Sequence, residues 1–224
     1  MIEIDETFHK GYPGAVIGIL TMRGARNPPR HEGLDRLREN LEIDLRARFG
    51  AGGKEALKAE PVMAAYEAYY RRFKKTYHVA LQLDSVIWKG RQIPSVSALV
   101  QAMFMAELSN MLLTAGHDLA RIAPPLRVSA ANGREVYTTL SGEERTLKEG
   151  DMAISDAQGV ISCVLHGPDK RSPITAETRD LLFTVYAPAG IGEQRVRSHL
   201  EDIERFVLVI APEASTDTIE LHAG

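Results

Sequence analysis

The sequence predicts an α+β fold in which helices pack on a mainly antiparallel sheet. Residues 31 to 113 repeat apolar side chains at three-four spacing, the mark of helices that bury one face. From Leu126 onward the period shortens to brief β-rich runs separated by turn residues. Helices first and strands later, with no shift in composition between them, argue for one layered domain over residues 1–224.

Taken in order, Ala15 to Gly24 is an apolar run after Tyr12-Pro13-Gly14 and reads as a covered first strand, broken by Arg26-Asn27-Pro28-Pro29. Leu34, Leu37, Leu41 and Leu45 define an amphipathic helix that ends around Gly50 to Gly53. A second helix starts near Pro61 and carries Val62, Tyr66, Tyr69, Tyr70 and Phe73, interleaved at its end with the basic run Arg71 to Lys75. That pattern reads first as an aromatic stripe facing the core with cations in solvent, and second as a stacking surface for an RNA strand. Val79 to Trp88 continues helically to a cap at Gly90. After Pro94, Val96, Leu99, Val100, Met103, Phe104, Leu108, Met111 and Leu112 predict a buried central helix. It is expected to stop near Gly116 and deliver His117 and Asp118 to the rim of a site.

The predicted strands are Leu126 to Ser129, Glu135 to Leu140, Met152 to Ser155, Val160 to His166 and Leu181 to Ala187. Ser162 reads as exposed and Cys163, its neighbour, as a small buried hydrophobe. A helix near Glu193 to Glu204, a strand-like Phe206 to Ile210 and a frayed tail from Glu213 complete the expectation.

The formal net charge of −3 disfavours a strongly basic nucleic-acid binder, and no DNA partner is expected. The charge is uneven, however: Thr21 to Lys75 holds 13 Lys+Arg against 8 Asp+Glu, a balance of +5. The single cysteine excludes an internal disulfide and a thiolate metal cluster, and neither a metal nor a cofactor is expected. The acidic start and the lack of a long apolar run predict a cytoplasmic chain without a membrane partner. Nothing in the residue order sets the oligomeric state.

Glycine-rich phosphate loops, paired zinc-binding histidines and the G-x-S-x-G elbow are all absent. The most chemically loaded stretch is His166-Gly167-Pro168-Asp169-Lys170-Arg171-Ser172-Pro173-Ile174-Thr175. It mounts an imidazole, a carboxylate, cations and hydroxyls between predicted core strands, where sites tend to sit. A solvated connection is the plainer reading, as a simple turn cap is for Asp118.

Ala115-Gly116-His117-Asp118-Leu119, Gly133-Arg134-Glu135, Thr139 to Leu147 and Asp151-Met152-Ala153-Ile154-Ser155-Asp156 follow in an order and spacing similar to the B3/B4 domain of the phenylalanyl-tRNA synthetase β subunit. The resemblance spans residues 93–190, through Ile174 to Thr178 and the strand at Leu181, and leaves 1–90 as a largely helical N-terminal extension. It implies a freestanding B3/B4 protein that hydrolyses the ester of a mischarged tRNA in trans, with the aminoacylated 3′ end of a tRNA, or an amino acid, as partner. The alternative is a module that binds the same ligands without turnover. Where the family carries a His, a Glu and an Asn, this chain has Ala115, Thr184 and about Phe104. On this reading His117 or His166 orients water, Thr175 or Thr184 holds the amino acid beside Asp118, and Lys170 with Arg171 meets the terminal phosphates.

Overall fold

The computed structural model describes residues 2–224. β1 (Ile2–Ile4) and α1 (Glu6–Gly11) lead into β2 (Val16–Arg23), and then five helices follow: α2 (Glu32–Phe49), α3 (Gly53–Lys58), α4 (Pro61–Arg72), α5 (His78–Trp88) and α6 (Ala98–Asn110). The rest comprises β3 (Thr114–Asp118), a 3-10 turn (Leu119–Arg121), β4 (Leu126–Ala130), β5 (Val136–Thr138), β6 (Glu144–Thr146), β7 (Met152–Asp156), β8 (Gly159–Cys163), β9 (Gly167–Pro168), β10 (Leu181–Ala187), α7 (Glu193–Ile210) and β11 (Ser215–Ala223).

A four-stranded antiparallel sheet in the order β11-β2-β10-β3 forms the centre. Its middle strand β10 is LLFTVYA, buried at every position, so it needs cover on both faces. By register, Gly18, Leu20, Met22, Phe183 and Val185 share one face and lie under α6 and α7. Ile17, Ile19, Leu182, Thr184, Tyr186 and His117 share the other. That face meets a second sheet, β1-β4-β7-β8-β9, where the Tyr186 hydroxyl bonds Ser162 Oγ. Among the described residues, only the β1–β4 pair is parallel. The β5–β6 hairpin covers the outer face of this second sheet with Tyr137 and Leu147.

The α+β architecture and the mainly antiparallel pairing follow the sequence, but several boundaries move. α6 ends at Asn110, where Met111 turns left-handed with φ 61°, and Gly116 lies in β3. Gly116 sits in a crowded place: a Cβ there would stand 2.8 Å from Ile174 Cδ1, 3.1 Å from Met103 Sδ and 3.2 Å from Phe183 Cε1, so these side chains would have to shift. Phe206 to Ile210 is the last turn of α7 because Val196, Leu200, Ile203, Phe206, Val207 and Ile210 continue one buried helical stripe. The tail beyond Ser215 is held as β11 by its ladder with β2. Ser162 is buried, since its side chain points between the sheets. β1 and α1 went unread: a three-residue strand and a six-residue helix are too short to show a period.

The aromatic stripe of α4 faces the core. Tyr66 stacks on Tyr77 at 4.2 Å between ring centroids, and its hydroxyl donates to Tyr186 O at 2.7 Å while accepting Leu113 N at 2.9 Å. Tyr69 Oη donates to Asp151 Oδ1, and Tyr70 Oη donates to Val164 O. The stripe therefore joins the helical layer to both sheets. Tyr66→Phe keeps the ring and removes the partner of a buried N–H, so we expect a loss of about 1–3 kcal/mol in urea unfolding. An unchanged midpoint would show that the hydroxyl is dispensable.

Candidate functional site

β3 is the edge strand of the central sheet, and the segment 169–175 closes over it. Asp118 N donates to Ser172 O at 2.9 Å, and His117 pairs across a bridge with Pro173. Strand alternation turns His117 into the layer between the sheets, where it is fully buried. Its Nδ1 lies 2.8 Å from Ser172 Oγ, and Ser172 donates both its hydroxyl (2.5 Å) and its N–H (3.0 Å) to Asp169 Oδ1. Because the serine proton goes to the carboxylate, Ser172 Oγ accepts from His117 Nδ1–H. The imidazole is thereby fixed as one tautomer, and its Nε2 lone pair is left buried without a partner. Burial, with the Arg171 charge, pushes the His117 pKa down to about 3 against the opposing pull of Asp156, so the ring is neutral.

Arg171 fixes the segment to the second sheet. Its guanidinium grips Asp156 with two bonds of 2.9 Å, approaches Asp169 Oδ2 at 3.4 Å and donates to Arg121 O at 3.0 Å. Burial would raise the Asp156 carboxyl, but Arg171 and the N–H groups of Ala123 and Gln158 outweigh it and hold it below the usual range.

The predicted residues separate into groups. His117 and Arg171 belong to one chain of contacts through Ser172 and Asp169. Arg171 is tied to carboxylates rather than free for phosphates, and His117 lies beneath the rim rather than on it. Thr184 shares the inward face of the sheet with His117, is fully buried, and approaches the Tyr186 hydroxyl without a bond of normal geometry. Asp118 caps the 3-10 turn through Ala120 N and accepts the Thr178 hydroxyl at 2.9 Å. Thr178 in turn accepts Thr175 N, while the Thr175 hydroxyl donates to Glu177.

His166 and Lys170 stand apart on the surface. Burial lowers the His166 pKa, and Arg145, Lys75 and Lys148 lower it further. Lys170 is exposed. Ser172, Asp169 and Asp156 were missed as site residues. The first two stood inside the singled-out loop, but no spacing signal links Asp156 to Arg171.

Two adjoining grooves, of about 660 and 610 Å³, cross the outer face of the second sheet and share Val136, Gln158, Gly159 and Val160. Tyr137, Lys170 and Arg171 line one of them. Among the described residues, no cluster of three or more His, Cys, Asp or Glu could hold a metal ion. Among the described residues, no helix is long and apolar enough to cross a membrane.

On the opposite face of β3, Thr114 Oγ1 meets His199 Nε2 at 2.7 Å, and Thr114 N donates to Glu107 Oε2 at 3.0 Å. Burial raises the Glu107 pKa to about 8, against the lowering effect of that N–H, and lowers that of His199 to about 4.

Two layered sheets with helices on one side, closed by this loop, define a layered α+β domain. The sequence model of the B3/4 domain matches residues 63–217, more than half of the chain, and the chain belongs to that family. The match includes the stretch 93–190 and extends from α4 to β11. The fold is similar to that of an N-terminal fragment of the phenylalanyl-tRNA synthetase β subunit from Pyrococcus horikoshii, with a TM-score of 0.51 and 14% identity. That alignment covers 100% of this chain and 54% of the fragment, so the chain spans about half its length. No curated protein matches the chain.

Glu107 gives a test of this interior. The folded chain keeps a proton that the unfolded chain releases above about 4.5, so this stability is complete below that pH and is lost as pH rises to about 8. Between pH 6.5 and 8 the loss is about 2 kcal/mol. Glu107→Gln should flatten this limb of the pH–stability curve in urea titrations. A wild-type curve already flat there would place a charged Glu107 in the core.

Proposed function

We propose that this B3/4 chain recognises the aminoacylated 3′ end of a tRNA and hydrolyses its ester in trans. One observation carries the reading: His117 is held neutral, with Nδ1–H committed to Ser172 and Nε2 unspent. A general base needs that tautomer and that free lone pair. Opening of the 169–175 segment admits the ester and water to the layer between the sheets. Water entry relieves the burial of the ring and raises its basicity.

His117 Nε2 takes a proton from water as the oxygen attacks the ester carbonyl. The bond to the ribose oxygen breaks, and the imidazolium returns its proton to that oxygen, releasing an amino acid and a free terminal hydroxyl. Ser172 and Asp169 hold the ring through the cycle, as the orienting carboxylate does in other acyl-transfer sites. The hydroxyls of Thr184, Tyr186 and Ser162 provide polar contacts for the amino acid.

A second reading is recognition without turnover, and the complete enclosure of His117 under the segment favours it.

Single-turnover deacylation with a panel of correctly and wrongly charged tRNAs distinguishes the two. We expect selective loss of one amino acid by the wild type, a fall of about 10²–10⁴-fold in His117→Gln, and unchanged tRNA affinity in that variant. Ser172→Ala should lower the rate without abolishing binding. Saturable binding of charged tRNA with no release above the spontaneous rate would establish the second reading.

A further inference from the structure

The basic run at the end of α4 has no place in the site above. Its aromatic neighbours Tyr69 and Tyr70 are buried, so no stacking platform for bases exists there, but its cations remain outside. Arg71, Lys74 and Lys75 line an open groove of about 250 Å³. Lys74 is held at φ 55°, a left-handed conformation rarely adopted by a residue with a side chain.

The end of α4 meets the segment that follows β6 directly: Arg72 Nη2 lies 3.6 Å from the Cβ position of Gly150, two residues after Lys148, and Tyr70 Oη donates to Val164 O at 2.9 Å, two residues before His166. Lys170 stands beyond the hairpin, its Nζ 3.7 Å from the Cβ position of Gly142. Arg71, Lys74, Lys75, Lys148 and Lys170 make no ion pair among the described residues, whereas Lys54, Lys58 and Lys89 do. The nearby acids are fewer: Glu67 borders the groove, the exposed Glu149 follows Lys148, Glu143 pairs with Arg145, and Glu144 lies between them in the hairpin.

We infer that this surface, built from the end of α4, Lys148 and the hairpin flank, is the contact for the phosphate backbone of the RNA. The inference rests on the tRNA reading above and names where the polyanion lies. The cations come from separate chain segments and line an open surface. That arrangement suits a row of phosphates better than a single bound anion. Most are lysines, compact point charges that attract phosphate without reading sequence. With the aromatics turned inward, the contact is electrostatic and its strength depends on salt.

The test is fluorescence anisotropy of unacylated tRNA with the full chain, from about 50 to 200 mM salt. Lys75→Glu/Lys148→Glu should weaken binding at least tenfold and reduce the log–log salt slope by about 1–2. Arg195→Glu/Arg197→Glu imposes the same charge change on exposed sites of α7, on the far side of the layers, and should leave affinity within about twofold. Equal losses in both variants, or no loss in the first, would overturn the inference. So would wild-type binding to vesicles rich in anionic phospholipid that displaces tRNA binding. Hydrolysis of a 3′-aminoacyl-adenosine ester, which has no RNA backbone, separates the two proposals. An intact rate in Lys75→Glu/Lys148→Glu with weakened tRNA binding supports both. A wild type inert towards the ester and charged tRNA, but with the charge-reversal effect on tRNA, sinks hydrolysis and leaves the surface standing.

Discussion

The two-sided burial of β10 is the constraint on which the other layers depend. A strand with no exposed face must sit between neighbours and between covers, and its partners β2 and β3 inherit that position. The helical cover comes so close that a Cβ on Gly18 would stand 2.5 Å from Val196. The other cover is the second sheet, and the face it meets carries Thr184 and Tyr186, whose hydroxyls need polar company. Ser162 supplies it for Tyr186. Once β10 is placed, the pleat of β3 sends His117 towards the second sheet and Thr114 towards the helices.

Each of those residues anchors a buried polar cluster, and the two clusters solve the burial problem differently. On the helical side, Glu107 avoids a bare charge by keeping its proton, while Asn110 spans His199 and Asp202. Between the sheets, charge is retained and paired: Arg171 lies between Asp156 and Asp169, and Ser172 passes the contact to His117. Removing Arg171 would strand a carboxylate, whereas Nε2 of His117 is already stranded. A chain of satisfied groups that ends in one unsatisfied acceptor is a natural place for a reacting molecule to complete the network.

Much of this was legible in the sequence, and the misreadings have physical causes. The periods of α2, α4, α5 and α6 survive because each buries a stripe or, for α6, nearly its whole surface. Phe206 to Ile210 misled because a run of β-branched and aromatic residues is ambiguous in isolation, and only the continuing stripe of α7 decides it. Gly116 resembled a helix stop, but its glycine answers to Ile174 and Met103 from distant parts of the chain. The loop that closes over His117 could be singled out from its chemistry alone. Its partner Asp156 could not, since a contact across 15 positions leaves no mark on spacing.

The two faces of α4 connect the core argument to the surface one. Its tyrosines end inside, where their hydroxyls bond Tyr186 O, Asp151 and Val164 O, and so they tie α4 to both sheets. Such anchoring fixes the helix end, and with it the position of Arg71, Lys74 and Lys75, relative to the β5–β6 hairpin. A cation on a loose extension would lose conformational entropy on meeting a phosphate; one carried by a rigid frame loses less. The interleaving of aromatic and basic residues therefore does not mark a stacking surface. It marks a helix whose aromatic face ties it to both sheets while its cations stay in solvent.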